Sequence, residues 1–259
     1  MPSDKYQAKA LVKLVEYFNW TYISLVSSEG HYGESGSSAF MVRARALNIC
    51  FALHEKVAES GNETRYERII DNLLKKKEAR AVVLWLRMEH AKGLLRAAKT
   101  KNATDTFVWV ASDGWGKEMK VIEGAEEVAL GALTLELSSS EIPEFNEYLY
   151  GLNVYENKRN PWFKEFWQET FRCSLPEEQN ESNASECSPN LRLTIDAFRQ
   201  ESKIQFVIDA VYAFAHAIKA AWVDLCEGIP GVCPKLTTLD PLVFYKKYLL
   251  KVSFDGKKR

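Results

Sequence analysis

Tyr32 and Asp113 are the residues whose types and placement suit the most definite chemistry. Each follows an apolar run that reads as a strand, Tyr22-Ile-Ser-Leu-Val26 before the first and Phe107-Val-Trp-Val-Ala111 before the second. A carboxylate beside an aromatic ring is a receptor for an ammonium group, by charge-assisted hydrogen bonding and cation–π attraction. Arg87, just after Ala81-Val-Val-Leu-Trp-Leu86, is a third candidate and would hold an anionic part of a ligand. Both charges also have plainer readings: Asp113 as the cap of a short helix, Arg87 as a solvated cation.

Other chemistries fail on spacing. Gly30-His-Tyr-Gly33-Glu-Ser-Gly36 has two residues where Gly-x-Gly-x-x-Gly allows one, and Ser37 stands where Gly-x-Ser-x-Gly needs its last glycine. A phosphate cradle and the nucleophile elbow of an α/β hydrolase are therefore both disfavoured. What remains is a glycine-spaced turn leading into a helix that faces a cleft, where open α/β sheets bind ligands. His31, His54, His90 and His216 are scattered, and there is no His-Glu-x-x-His or Cys-x-x-Cys, so neither metal nor cofactor is expected. His216, among alanines, reads as a packed helix residue. Trp162, Phe163, Phe166, Trp167 and Phe171 read as one packing face.

The cysteines speak of an oxidising compartment. Cys173 and Cys187 flank a polar loop, Cys226 and Cys233 flank a turn holding Gly228, Pro230 and Gly231, and both spacings suit local disulfides. Cys50 is left over, which points to a partner outside this stretch. Sequons at Asn62, Asn102, Asn180 and Asn183 lie in polar segments and are expected to carry glycans. Asn19-Trp-Thr adjoins a strand start and is expected to stay bare.

The elements that must position these residues follow from periodicity. Asp4 is placed to cap a helix reaching about Phe18, with Ala8, Leu11, Val12, Leu14, Val15 and Phe18 on its inner side. Strands at 22–26, 49–53, 81–86, 107–111 and 131–137 then alternate with helices, one of them at about 66–77. That spacing predicts a doubly wound parallel sheet. From Ser138 the texture changes to helical patterns at 144–152, 161–171, 203–225 and 240–250, with a polar loop at 176–190 and no strand between them. These helices need a sheet to cover. The division is expected at residue 138.

Composition narrows the class further. The 259 residues carry 34 Lys and Arg against 35 Asp and Glu, a net charge of −1, so a basic nucleic-acid-binding surface is excluded. Hydrophobic residues at 46% suffice for a sizeable core and exclude intrinsic disorder. Residues 204–225 carry Asp209, His216, Lys219 and Asp224, and are expected to be a buried soluble helix rather than a membrane span. The N-terminus shows no basic-then-apolar leader. An extracellular composition without one is expected of a fragment.

Asn19-Trp-Thr-Tyr-Ile-Ser, Glu29-Gly-His-Tyr-Gly-Glu-Ser-Gly36, Trp109-Val-Ala-Ser-Asp-Gly-Trp-Gly116, Arg159-Asn-Pro-Trp-Phe163 and Phe206-Val-Ile-Asp-Ala-Val-Tyr-Ala-Phe-Ala-His216 together resemble one family. It is the extracellular ligand-binding domain of the metabotropic glutamate receptors, class C G-protein-coupled receptors. The motifs run in order over nearly the whole chain, and Arg87-Met-Glu-His-Ala91 with the sequon at Asn102 looks closest to the group II type.

The resemblance implies a periplasmic-binding-protein-like flytrap, with residues 1–138 as lobe 2 and 139–259 as the later, helical part of lobe 1. The rest of lobe 1, the cysteine-rich linker and the seven-helix domain are expected to lie outside the sequence. Tyr32 and Asp113 match the family's contacts to the α-amino group, and Arg87 matches a position near the ligand's distal end. Where the family has a lysine for the distal carboxylate, Thr237 stands here, with Lys235 two residues away. Cys50 matches the cysteine linked to the cysteine-rich region. The implied function is binding of a glutamate-like α-amino acid at the plasma membrane's outer face. Signalling would follow lobe closure in a homodimer, through a heterotrimeric G protein and with no enzymatic step. The alternative on the same fold is a soluble periplasmic-type carrier, which would bury Cys50 as a free thiol.

Overall fold

The computed structural model describes residues 3–176, 185–195, 198 and 200–255. They fall into two compact units, Met1–Leu137 and Ser138–Arg259. The first comprises α1 (Asp4–Tyr17), β1 (Tyr22–Ser28), α2 (His31–Ala46), β2 (Cys50–Val57), α3 (Glu63–Leu74), β3 (Ala81–Trp85), α4 (Met88–Thr100), β4 (Val108–Ala111) and β5 (Leu133–Thr134). All five strands run parallel, in the order β2-β1-β3-β4-β5. Parallel neighbours need crossovers, and the amphipathic helices supply them while covering the sheet.

Side chains alternate across each strand, so β1, β3 and β4 each feed two cores. Ile23, Leu25, Val83 and Trp85 pack with Leu11, Val15 and Phe40 of α1 and α2. Val26, Val82, Leu84 and Trp109 pack with Ile69, Ile70, Leu94 and Leu95 of α3 and α4. Coverage on both faces is the physical reason the β3 segment reads as an unbroken apolar run.

Local details depart from the sequence reading. Ser3, not Asp4, is the N-cap of α1, its hydroxyl accepting from the Lys5 amide at 3.4 Å. Asp4 becomes the first helical residue. Phe18 is exposed and Gln7 takes a buried place instead. α3 begins earlier than its apolar periodicity suggests, because Asn62 caps it by accepting from the Arg65 amide at 3.0 Å. β5 contracts to two residues. Gly33 and Gly36 lie inside α2 rather than in a turn before it, and only Gly30 is at the cap.

The reason for Gly36 is close approach. A Cβ there would overlap the indole of Trp85, a fully buried strand residue. Gly36→Ala is expected to cost about 1–3 kcal/mol of stability, as overpacking a close-packed site does. It should lower the urea midpoint with the slope unchanged. An unmoved midpoint would show that the ring has room to yield.

The second unit holds α5 (Pro143–Tyr150), α6 (Phe163–Phe171), α7 (Ile204–Cys226), α8 (Pro234–Thr237) and α9 (Pro241–Lys247). Disulfide Cys173–Cys187 sits in a small core with Phe163, Trp167, Val154 and Leu193, and disulfide Cys226–Cys233 closes the turn after α7. Both pairings agree with the loop spacings, and Cys50 is free and exposed. Trp162 leaves the expected aromatic face and is 71% exposed.

α7 also corrects an expectation. It is long and apolar enough to cross a membrane by length and composition. Yet within its unit only Ala217, Ala221 and Cys226 are buried, so it is not the buried helix its pattern suggests. His216 is exposed and stacks on Phe254, with centroids 4.8 Å apart, rather than packing in a core.

Candidate functional site

In a 2-1-3-4-5 sheet the chain leaves β1 toward β2, then crosses back to β3. The helices after β1 and β3 cover opposite faces of the sheet, and in open α/β sheets ligands bind beyond the carboxyl ends of the strands at such a switch point. Tyr32 stands in the first turn of α2 after β1, Arg87 follows β3, and Asp113 follows β4. All three sequence candidates in this unit therefore lie along one edge of the sheet.

Two of them touch. The Tyr32 hydroxyl donates to Asp113 Oδ1 at 2.7 Å and accepts from the Gly114 amide at 3.1 Å. A phenol has one proton, already given to Asp113, so the Ser112 hydroxyl 2.8 Å away donates to Tyr32. Burial first, and then the charge of Asp113, push the Tyr32 phenol well above its ordinary value, so it stays neutral. Its ring leans on Trp85 at 5.9 Å between centroids.

Asp113 is only 7% exposed. Residues 113–117 form a turn, and the short 3-10 helix that follows at Met119–Val121 has Glu118 at its N-cap, so the Asp113 carboxylate is not spent as a helix cap. Gln7 Oε1 accepts from its amide at 3.2 Å, which fixes the turn against α1. At the next position a Cβ would run into the Leu86 carbonyl, so glycine is needed at 114 to let the turn approach β3. The phenol uses one of the roughly four acceptor sites of the Asp113 carboxylate.

Sequence reasoning missed two partners. Gln7 was not among the sequence candidates, and its burial depends on the turn after β4 meeting α1. Asp4 was read only as a cap, but its carboxyl feels both Asp113 and His31. Burial first, and then the Asp113 charge, raise its pKa above the ordinary 3.8, while His31 pulls it down. The folded state thus holds the Asp4 proton more tightly than the unfolded chain does. This group favours folding most at pH below 3.8, and that contribution is lost as pH rises through its folded pKa. In Asp113→Asn the Asp4 carboxyl is expected to titrate at lower pH, which NMR of the side-chain carboxyl carbon would read. An unchanged Asp4 titration would mean the two carboxyls do not interact.

Arg87 is held by its backbone, with its amide donating to Ser28 Oγ at 3.1 Å, while its guanidinium pairs with Glu59 at 3.1 Å. Thr237, in the second unit, ends α8 and donates its hydroxyl to the Pro234 carbonyl at 2.9 Å. Asn62 and Asn102 are exposed, the second just past the end of α4 with φ of 52°. Asn180 and Asn183 lie outside the described residues. No cluster of three or more metal-ligating side chains exists among the described residues.

The doubly wound parallel sheet, with helices on both faces, has the periplasmic-binding-protein-like α/β fold. The family model described as "Receptor family ligand binding region" matches residues 1–257. The chain belongs to this family, and within it to the metabotropic glutamate receptors of class C. It is 39% identical to the metabotropic glutamate receptor of Drosophila melanogaster, over 98% of this chain and 30% of that receptor. It is 38% identical to metabotropic glutamate receptor 4 of Macaca fascicularis and 37% identical to metabotropic glutamate receptor 8 of Homo sapiens, each over 99% of this chain and 28% of the receptor. The chain thus spans under a third of the length of these relatives.

Proposed function

We propose that this chain binds an α-amino acid of the glutamate type, with the ammonium group seated on Asp113 and over the ring of Tyr32. The observation that carries the reading is the Tyr32–Asp113 hydrogen bond at 2.7 Å, buttressed by Ser112 and Gly114. It fixes an anionic oxygen and a π face side by side, in a nearly dry position beside the switch point. Asp4 adds a second negative charge nearby. A primary ammonium has three donors and one positive charge, and this arrangement offers it acceptors and a ring.

Arg87 is the group we assign to the ligand's distal end, because the Thr237 hydroxyl proton is already engaged with Pro234. In this reading unit 1 is the second lobe of a flytrap and unit 2 the helical part of the first. Closure on the ligand would shift a homodimer toward its active state and so act on a G protein from the outer face of the plasma membrane. The chain is then a binding module and not an enzyme. The names of the relatives support a receptor over a free carrier, as does the exposure of Cys50.

A des-amino analogue tests the reading. L-glutamate is expected to displace a bound amino acid from the expressed protein at concentrations where glutarate, which lacks only the amino group, displaces none. Equal potency of the two would remove the ammonium from the account.

A further inference from the structure

The edge of the sheet carries a fourth charged residue that the ammonium receptor does not use. Glu59 follows β2, and β2 lies beside β1 on the side away from β3. Its Oε1 is 3.1 Å from Arg87 Nη2, so the pair reaches across the end of β1. Both atoms lie over Gly30, each 3.8 Å from where a Cβ on that glycine would stand. Along the strand order β2-β1-β3-β4, the edge therefore presents the Glu59 carboxylate, the Tyr32 ring after β1, the Arg87 guanidinium and the Asp113 carboxylate.

Arg87 follows β3, which lies between the strands that lead to Tyr32 and Asp113, and it already holds a carboxylate. A guanidinium binds a carboxylate best as a two-pronged fork, and one prong here is taken from within the chain. We propose that Glu59 is a specificity-determining residue, an internal competitor that weakens the site's preference for an acidic over a neutral distal group. This rests on the assignment of Arg87 to the ligand's distal end.

The size of the effect follows from exposure. The Arg87 and Glu59 side chains are 48% and 69% exposed, and pairs in that setting are screened and weak. Removing the competitor should raise affinity for an acidic ligand by no more than about five-fold. The Arg87 backbone is pinned by Ser28, so freeing the guanidinium does not require the strand end to move.

The test compares L-glutamate with L-glutamine, its neutral isostere, on the full-length protein and on Glu59→Gln, Arg87→Gln, the double variant and Asp113→Asn. Glu59→Gln is expected to raise glutamate affinity about two- to five-fold and leave glutamine unmoved, and the gain should shrink as salt rises. In the Arg87→Gln background the second substitution should do nothing. An unchanged glutamate-to-glutamine ratio in Glu59→Gln, with Asp113→Asn still losing both ligands, overturns the proposal and spares the ammonium site. Unaltered binding of both ligands by Asp113→Asn overturns the reading of the site itself. Because Glu59 is a surface residue, an unchanged thermal midpoint in Glu59→Gln would show that its effect is on binding.

Discussion

Asp113→Asn is expected to lower affinity for an α-amino acid by about thirty-fold or more. Truncating one partner of a desolvated, hydrogen-bonded charge pair costs about 2–5 kcal/mol, and each 1.4 kcal/mol is a factor of ten. Asparagine matches aspartate in shape, so the turn at 113–117 and the Gln7 contact to its backbone should survive. The loss is then one of charge rather than fold. Tyr32→Phe should cost less, about ten-fold, because the ring stays while the support of Asp113 is lost along with that of Gly114. Both can be read by competition against a labelled amino acid, with circular dichroism to confirm folding. Equal affinity for wild type and Asp113→Asn would place the ammonium elsewhere.

The second large effect concerns protection within the chain. Amides of β3 and its neighbours are expected to exchange with solvent orders of magnitude more slowly than those of α7. β3 is covered on both faces and hydrogen-bonded to β1 and β4. In α7, Val207 is 64% and Val211 66% exposed, and Phe214 and Ile218 also face solvent. Exchange protection tracks buried apolar contact, and burying one large apolar side chain is worth roughly 1.5–3 kcal/mol. Mass-spectrometric hydrogen exchange of the 259-residue chain would show peptides over 204–226 exchanging early and those over 81–86 late. Equal protection would mean that the apolar face of α7 is covered in solution.

Much of this was legible in the residues, for reasons that differ by element. The parallel sheet could be read because strands covered on both faces are apolar without interruption, as at residues 81–85. The Tyr32 and Asp113 pair could be read because each follows a segment legible as a strand, and the carboxyl edge is a fixed property of the topology. What depends on contacts between distant segments was not legible. Gln7 meets Asp113 across 106 positions, and Glu59 meets Arg87 across 28. The glycine spacing of 30, 33 and 36 misled in a useful way. It reads as a turn before the helix, but Gly33 and Gly36 lie within α2, and Gly36 answers to the bulk of Trp85. Periodicity also shows which face of α7 is apolar, not whether anything packs on it, and His216 was misplaced for that reason.

The most direct measurement is the position of the ligand nitrogen in a crystal structure of the protein with a bound α-amino acid. The ammonium is expected within about 2.7–3.1 Å of an Asp113 carboxylate oxygen and within about 6 Å of the centre of the Tyr32 ring. A ligand whose carboxylate or distal group occupies that place, with its nitrogen elsewhere, would contradict the assignment.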